Sequence, residues 1–144
     1  MYILMAVFCA LCVFFDMKND RIPNPLTAVF FVAAVIFRII GKGPEDVPLL
    51  LMDTASVFAA TIILFGFKAL RGGDGKMMCV ISVMCGMKAA FMILFVAMGI
   101  GSLAGLVKKA VLSKKITELT YIHFSIPVAV SAAIYLMFLL LLTS

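Results

Sequence analysis

The chain has 144 residues, of which 65% are hydrophobic and 13% are charged. A soluble domain is about one quarter charged and half apolar, so this composition excludes an ordinary soluble protein. The net charge of +5 sets orientation when it occurs in a membrane protein, and we expect no nucleic-acid partner. The composition predicts an all-α integral membrane protein in which residues 1–144 form a single domain surrounded by membrane lipid.

Apolar runs separated by charged residues mark the predicted transmembrane helices. They cover 2–15, 25–40, 47–70, 77–87, 89–107 and 121–142. A full span needs about 20 residues, so several of these runs are short. The stretch 77–107 is interrupted only by Lys88, and it could form one long helix or two helices that turn near Gly86.

The distribution of lysine and arginine between the loops decides between these arrangements. With two helices in 77–107, one side of the membrane carries nine positive side chains and the other carries three. One long helix would distribute the charges almost evenly. Because positively charged loops stay in the cytoplasm, we predict a bundle of six transmembrane helices with both termini outside. The protein is then a multi-pass protein of the inner (cytoplasmic) membrane.

Two aspartates occupy unusual places in this pattern. Asp74 lies among three glycines in the segment 71–76, between two apolar runs, and Asp16 ends the first run. Glycine permits positive φ angles and close approach of another chain. An ionisable group at the edge of a membrane span indicates a functional site. Both carboxylates fall in cytoplasmic loops of the predicted topology, so we expect them to meet and work as a pair.

Other residues give local predictions. Pro25 can begin the second helix, and Pro127 is expected to kink the last one. Asp53 lies just inside the third run, and we expect it at the interface or paired with Lys42 or Arg38.

Two segments resemble the signatures of a known family. Residues 16–24 read Asp-Met-Lys-Asn-Asp-Arg-Ile-Pro-Asn, and residues 72–76 read Gly-Gly-Asp-Gly-Lys. They resemble the paired motifs of the type IV prepilin peptidases, and the second is similar to the GxGD motif of intramembrane aspartyl proteases. Ile126-Pro127 resembles the C-terminal Ile-Pro element of the family. Arg71 is a departure, since it stands where the motif has its first glycine.

Longer members of that family carry an N-terminal methyltransferase region with two CxxC zinc pairs. Here nothing precedes the first apolar run, and Cys9 and Cys12 have CxxC spacing only inside that run. The resemblance therefore implies the compact form of Tad/Flp-type pili, with peptidase activity and without N-methylation.

The resemblance implies an endopeptidase that cleaves the short basic leader of a prepilin after Gly, with Asp16 and Asp74 as catalytic residues. Repulsion keeps one carboxyl of such a pair protonated and the other ionised near neutral pH. The helix dipole favours the ionised form of Asp74, at a helix N-terminus, and makes it the expected base. We expect neither a metal ion nor a cofactor.

The substrate-binding residues expected around this pair fall into two groups. Glycine would let an extended prepilin backbone approach, and cytoplasmic carboxylates would meet its basic leader. These residues are Gly72, Gly73 and Gly75, followed by Asp20 and Glu118.

Two other functions use the same carboxylates without proteolysis. A small membrane transporter could place them on an ion path, and an inactive family relative could bind prepilins without cleaving them. Transport sites lie near the middle of the bilayer, whereas both aspartates fall at one predicted face. The sequence does not define the oligomeric state.

Overall fold

The computed structural model describes residues 2–19, 22–67, 70, 72–112 and 124–143. Within these ranges the chain forms six α-helices and one 3-10 turn. The helices are α1 (Tyr2–Asn19), α2 (Asn24–Lys42), α3 (Val47–Gly66), α4 (Gly72–Cys85), α5 (Met87–Leu112) and α6 (Ser125–Thr143), and the turn is Pro44–Asp46. Each predicted apolar run therefore corresponds to one helix of the structure.

The short helix α4 is the centre of the bundle. It has 14 residues, which is about 21 Å at the usual rise per residue. It packs against α1, α2, α3 and α5, whereas α6 packs against α1 and α5. Most of its side chains are buried, so a polar residue on α4 lies inside the protein although the helix is shorter than a full span.

The outer surface of the bundle is strongly apolar. Large side chains such as Phe58, Phe95 and Phe138 are more than half exposed. Within the described ranges, three segments are long and apolar enough to cross a membrane, and they are Asn24–Lys42, Pro44–Gly66 and Met87–Val107. A surface of this kind is stable when lipid covers it, which agrees with the predicted membrane location.

Gly86 separates α4 from α5, as the charge distribution predicted. Its φ angle is +84°, in the region that residues with a Cβ atom rarely adopt. Its N–H donates to the Ser82 carbonyl at 2.8 Å, and its own carbonyl accepts from the Ala90 N–H at 3.1 Å. The helix therefore ends and restarts within one residue.

We expect Gly86→Ala to lower the free energy of unfolding by about 1–2 kcal/mol, the usual strain of a left-handed residue that carries a Cβ atom. The added Cβ would lie 3.7 Å from Asp53 Oδ2, an ordinary contact, so the cost arises in the backbone. Thermal unfolding in detergent measures it. Gly99→Ala is the matched control, because no atom lies within 4 Å of its added Cβ. Equal melting temperatures for the two variants would contradict this interpretation.

The end of the bundle that contains Gly86 is held by a buried ion pair. Arg38, which is 4% exposed, donates to Asp53 Oδ2 at 2.8 Å, to Asp46 Oδ2 at 2.5 Å and to the Val83 carbonyl at 3.2 Å. One guanidinium thus joins α2, α3 and α4. Of the two partners considered for Asp53, the structure selects Arg38.

Pro127 takes a different role from the one expected. It is the third residue of α6, in the first turn, where the backbone N–H groups have no partner within the helix. A proline there removes no helical hydrogen bond, so the expected kink is wrong and Pro127 instead belongs to the start of the helix.

Candidate active site

Asp16 lies in the last turn of α1 and is only 5% exposed. It is buried because α1 packs against α6 at this level. The hydroxyl of Ser125, the first residue of α6, donates to Asp16 Oδ2 at 2.5 Å. An ionisable side chain is thus held inside the protein by a hydrogen bond between two helices.

Asp74 lies in the first turn of α4 and is 3% exposed. The first N–H groups of a helix lack partners within the helix and carry partial positive charge, which favours a carboxylate there. Since α4 is the central helix, its N-terminus also lies inside the bundle. The sequence prediction of a helix N-terminus at Asp74 is confirmed, although the helix already begins at Gly72.

One thiol lies near both carboxylates. Cys12 is buried on α1, one turn before Asp16, and it is within electrostatic range of Asp16 and of Asp74. Residues four apart share one face of a helix, so Cys12 and Asp16 lie on the same face of α1. Both buried aspartates therefore lie within electrostatic range of the same buried side chain.

The two sequence segments that contain these aspartates also contact each other beyond them. A Cβ atom placed on Gly73 would lie 3.7 Å from the Ile22 side chain. Lys76 Nζ donates to Asn24 Oδ1 at 2.6 Å. Residues 22–24 and 73–76 are thus adjacent in the folded protein, at the end of the bundle opposite the Arg38 ion pair.

The three glycines near Asp74 have different surroundings. All lie in the first turn of α4, and none has a positive φ angle, so a helix start replaces the loop in which the sequence analysis placed Asp74. Gly75 approaches Thr61 of α3, whose Cβ would lie 3.5 Å from an added Cβ. Gly73 accommodates Ile22 in the same way, and Gly72 is exposed. Gly73 and Gly75 thus make room for side chains of the protein itself.

Several predicted residues fall outside the described ranges. They include Asp20 and Glu118, expected to meet a basic leader, and Arg71, the departure from the family motif. Their predicted roles stay predictions. Of the five expected substrate-binding residues, the three glycines are the ones that the structure places next to the buried aspartates.

Ser125 was missed by sequence reasoning. A serine in a helix is common, and its partner Asp16 lies 109 positions away. The sequence feature that could have pointed to Ser125 is its position directly before the Ile126-Pro127 element.

The fold and this site define a helical membrane protein with two buried carboxylates at one end of its bundle. The family model described as the type IV leader peptidase family matches residues 3–106, which is more than half of the chain. The chain therefore belongs to the type IV leader peptidase family, and the resemblance read from its two motifs is confirmed. Membership implies a peptidase, that is, a hydrolase.

The matched region contains both aspartates and ends before Ser125. Comparisons with curated proteins and with solved structures found no match.

Proposed function

We propose that this protein is an aspartyl endopeptidase that removes the leader of Tad/Flp-like prepilins. The observation that carries the proposal is the burial of Asp16 and Asp74 around one thiol, Cys12, in a chain of the type IV leader peptidase family. Burying a carboxylate costs free energy unless it is paired with a positive charge or hydrogen-bonded, so such a group often has a function. Two of them at one end of a membrane bundle suit the chemistry of a peptidase better than an ion path through the bilayer.

The proposed reaction uses the two carboxyl groups as a unit. The ionised one takes a proton from a bound water molecule, and the resulting hydroxide adds to the carbonyl carbon of the scissile peptide bond. The protonated one donates to the oxyanion that forms. Collapse of the tetrahedral intermediate breaks the C–N bond, and the amine leaves with a proton from the pair. The roles interchange during the cycle, so the pair acts as one catalytic unit.

The proposed substrate is a membrane-anchored precursor, with a short basic leader, a Gly at the cleavage point and then an apolar helix. Six transmembrane segments with both termini outside would place Asp16 and Asp74 at the cytoplasmic face of the inner membrane, where such a leader lies. Gly72, which is exposed at the start of α4, is the glycine best placed to let an extended backbone approach. Asp20 and Glu118 would meet the positive leader.

Co-expression with a tagged candidate prepilin tests the proposal. We expect the prepilin to shorten, and mass spectrometry of the product should locate the new N-terminus directly after the leader Gly. A precursor that binds this protein but keeps its full mass would instead identify an inactive relative. A precursor that neither binds nor shortens would contradict the proposal.

A further inference from the structure

The hydrogen bond between Ser125 and Asp16 differs from those of the other buried serines that the structure describes. Ser82 donates to the Cys79 carbonyl at 2.7 Å and Ser131 to the Pro127 carbonyl at 2.7 Å, so both bond their own helix. Local bonds of this kind are the usual fate of a helical serine. The Ser125 hydroxyl instead reaches a carboxylate on another helix.

The geometry of this bond is that of a donor to a charged acceptor. The oxygen atoms of Ser125 and Asp16 are 2.5 Å apart, and bonds from a hydroxyl to a carboxylate are typically about 2.5–2.7 Å long and roughly twice as strong as neutral ones. Ser125 is fully buried, with 0% exposure, so water does not compete for the bond. Low polarity around a hydrogen bond strengthens it further.

We propose that Ser125 is a positioning residue for the aspartate pair, an inference that rests on the proposed peptidase function. Its hydroxyl fixes the orientation of the Asp16 carboxylate and stabilises negative charge there. Ser125 therefore favours Asp16 as the proton acceptor in the free enzyme, with Asp74 as the donor. This assignment is the reverse of the one that the helix dipole alone predicts.

The pH dependence of the reaction reflects the groups around Asp16. Helix α4 presents Asp74, α1 itself presents the Cys12 thiol, and α6 presents Ser125, which does not titrate. Lys76 of α4 is exposed and donates to Asn24. The Ser125 hydroxyl stabilises negative charge on Asp16, so its removal disfavours the charged form of that carboxyl.

Ser125→Ala tests the proposal, with a synthetic peptide as substrate that joins a lysine-rich leader and a Gly to an apolar helix. We expect kcat to fall about 10- to 100-fold, the factor that a hydrogen bond to a charged group supplies, with little change in KM. The acidic limb of the pH–rate profile should move to higher pH. Ser131→Ala, which removes a buried hydroxyl from the same helix, should leave both unchanged.

The position of the acidic limb distinguishes a positioning role of Ser125 from a purely structural one. Partial misfolding lowers the rate by the same factor at every pH and leaves the limb in place. If Ser125→Ala does not fold, Ser125→Cys replaces it, since a thiol has similar volume and donates weakly. It should show the same shift. A folded Ser125 variant that keeps the wild-type acidic limb would overturn the inference. The proposed peptidase function would still stand if Asp16→Asn is inactive. A wild-type protein that does not cleave the peptide would overturn both.

Discussion

Asp16→Asn and Asp74→Asn are each expected to lower the rate of prepilin cleavage by about 10³-fold. Proton transfer by a positioned side chain contributes about 10²–10⁴-fold, and asparagine keeps the shape of aspartate but cannot exchange a proton. Because the two carboxyl groups act as a unit, the double variant should be no slower than either single variant. Initial rates on one tagged prepilin, at equal amounts of folded protein, provide the measurement.

A matched control shows that the loss is specific to this pair. Glu45→Gln neutralises a carboxylate in the exposed turn Pro44–Asp46 at the opposite end of the bundle, and it should cleave at the wild-type rate. Effects of Asp16→Asn and Asp74→Asn that multiply in the double variant would contradict a shared site, because independent sites contribute additively in free energy.

The largest effect on stability is expected at Arg38. Arg38→Met leaves Asp53 buried without the guanidinium that now donates to it at 2.8 Å. Removal of one partner from a buried pair typically costs about 3–5 kcal/mol. We expect a correspondingly lower melting temperature in detergent. Cleavage by the folded fraction should persist, since α4 separates Asp74 from Val83, which Arg38 contacts, by about 14 Å of helix.

The double variant Arg38→Met with Asp53→Asn tests the cause of that loss. Neutralising the remaining carboxylate removes the unpaired charge, so the double variant should melt at a higher temperature than Arg38→Met alone. Both variants melting at the wild-type temperature would show that the ion pair does not stabilise this end of the bundle. Loss of cleavage in folded Arg38→Met would show that the two ends are coupled.

Much of the fold could be predicted from the sequence because lipid imposes a simple pattern. Apolar runs became helices, and the charge asymmetry predicted the break at Gly86, which the structure confirms. The sequence predicted a helix start at Asp74, whereas α4 already begins at Gly72, because glycines 72, 73 and 75 are poor helix formers by themselves. Gly73 packs against Ile22 and Gly75 against Thr61, and such contacts between distant segments are not encoded locally.

The site was predictable to the extent that it resides in short motifs. Asp16 and Asp74 each stand in a recognisable segment, and the charges of the loops place both at one face. Ser125 was not predictable, because its role depends on where α6 packs against α1. The choice of Arg38 over Lys42 as the partner of Asp53 also required the packing of α2 against α4.

Cross-linking tests most directly whether the two aspartates share a site. In a chain whose four native cysteines are replaced by alanine, Asp16→Cys and Asp74→Cys should be joined by a short bifunctional thiol reagent. Ile22→Cys with Gly73→Cys is the positive control, since their Cβ atoms would lie 3.7 Å apart, within disulfide range. Asp16→Cys with Lys42→Cys, at the far end of α2, is the negative control. We expect the Asp16–Asp74 pair to cross-link as efficiently as the positive control; failure to do so in a chain where the control pair reacts would contradict the aspartyl peptidase account.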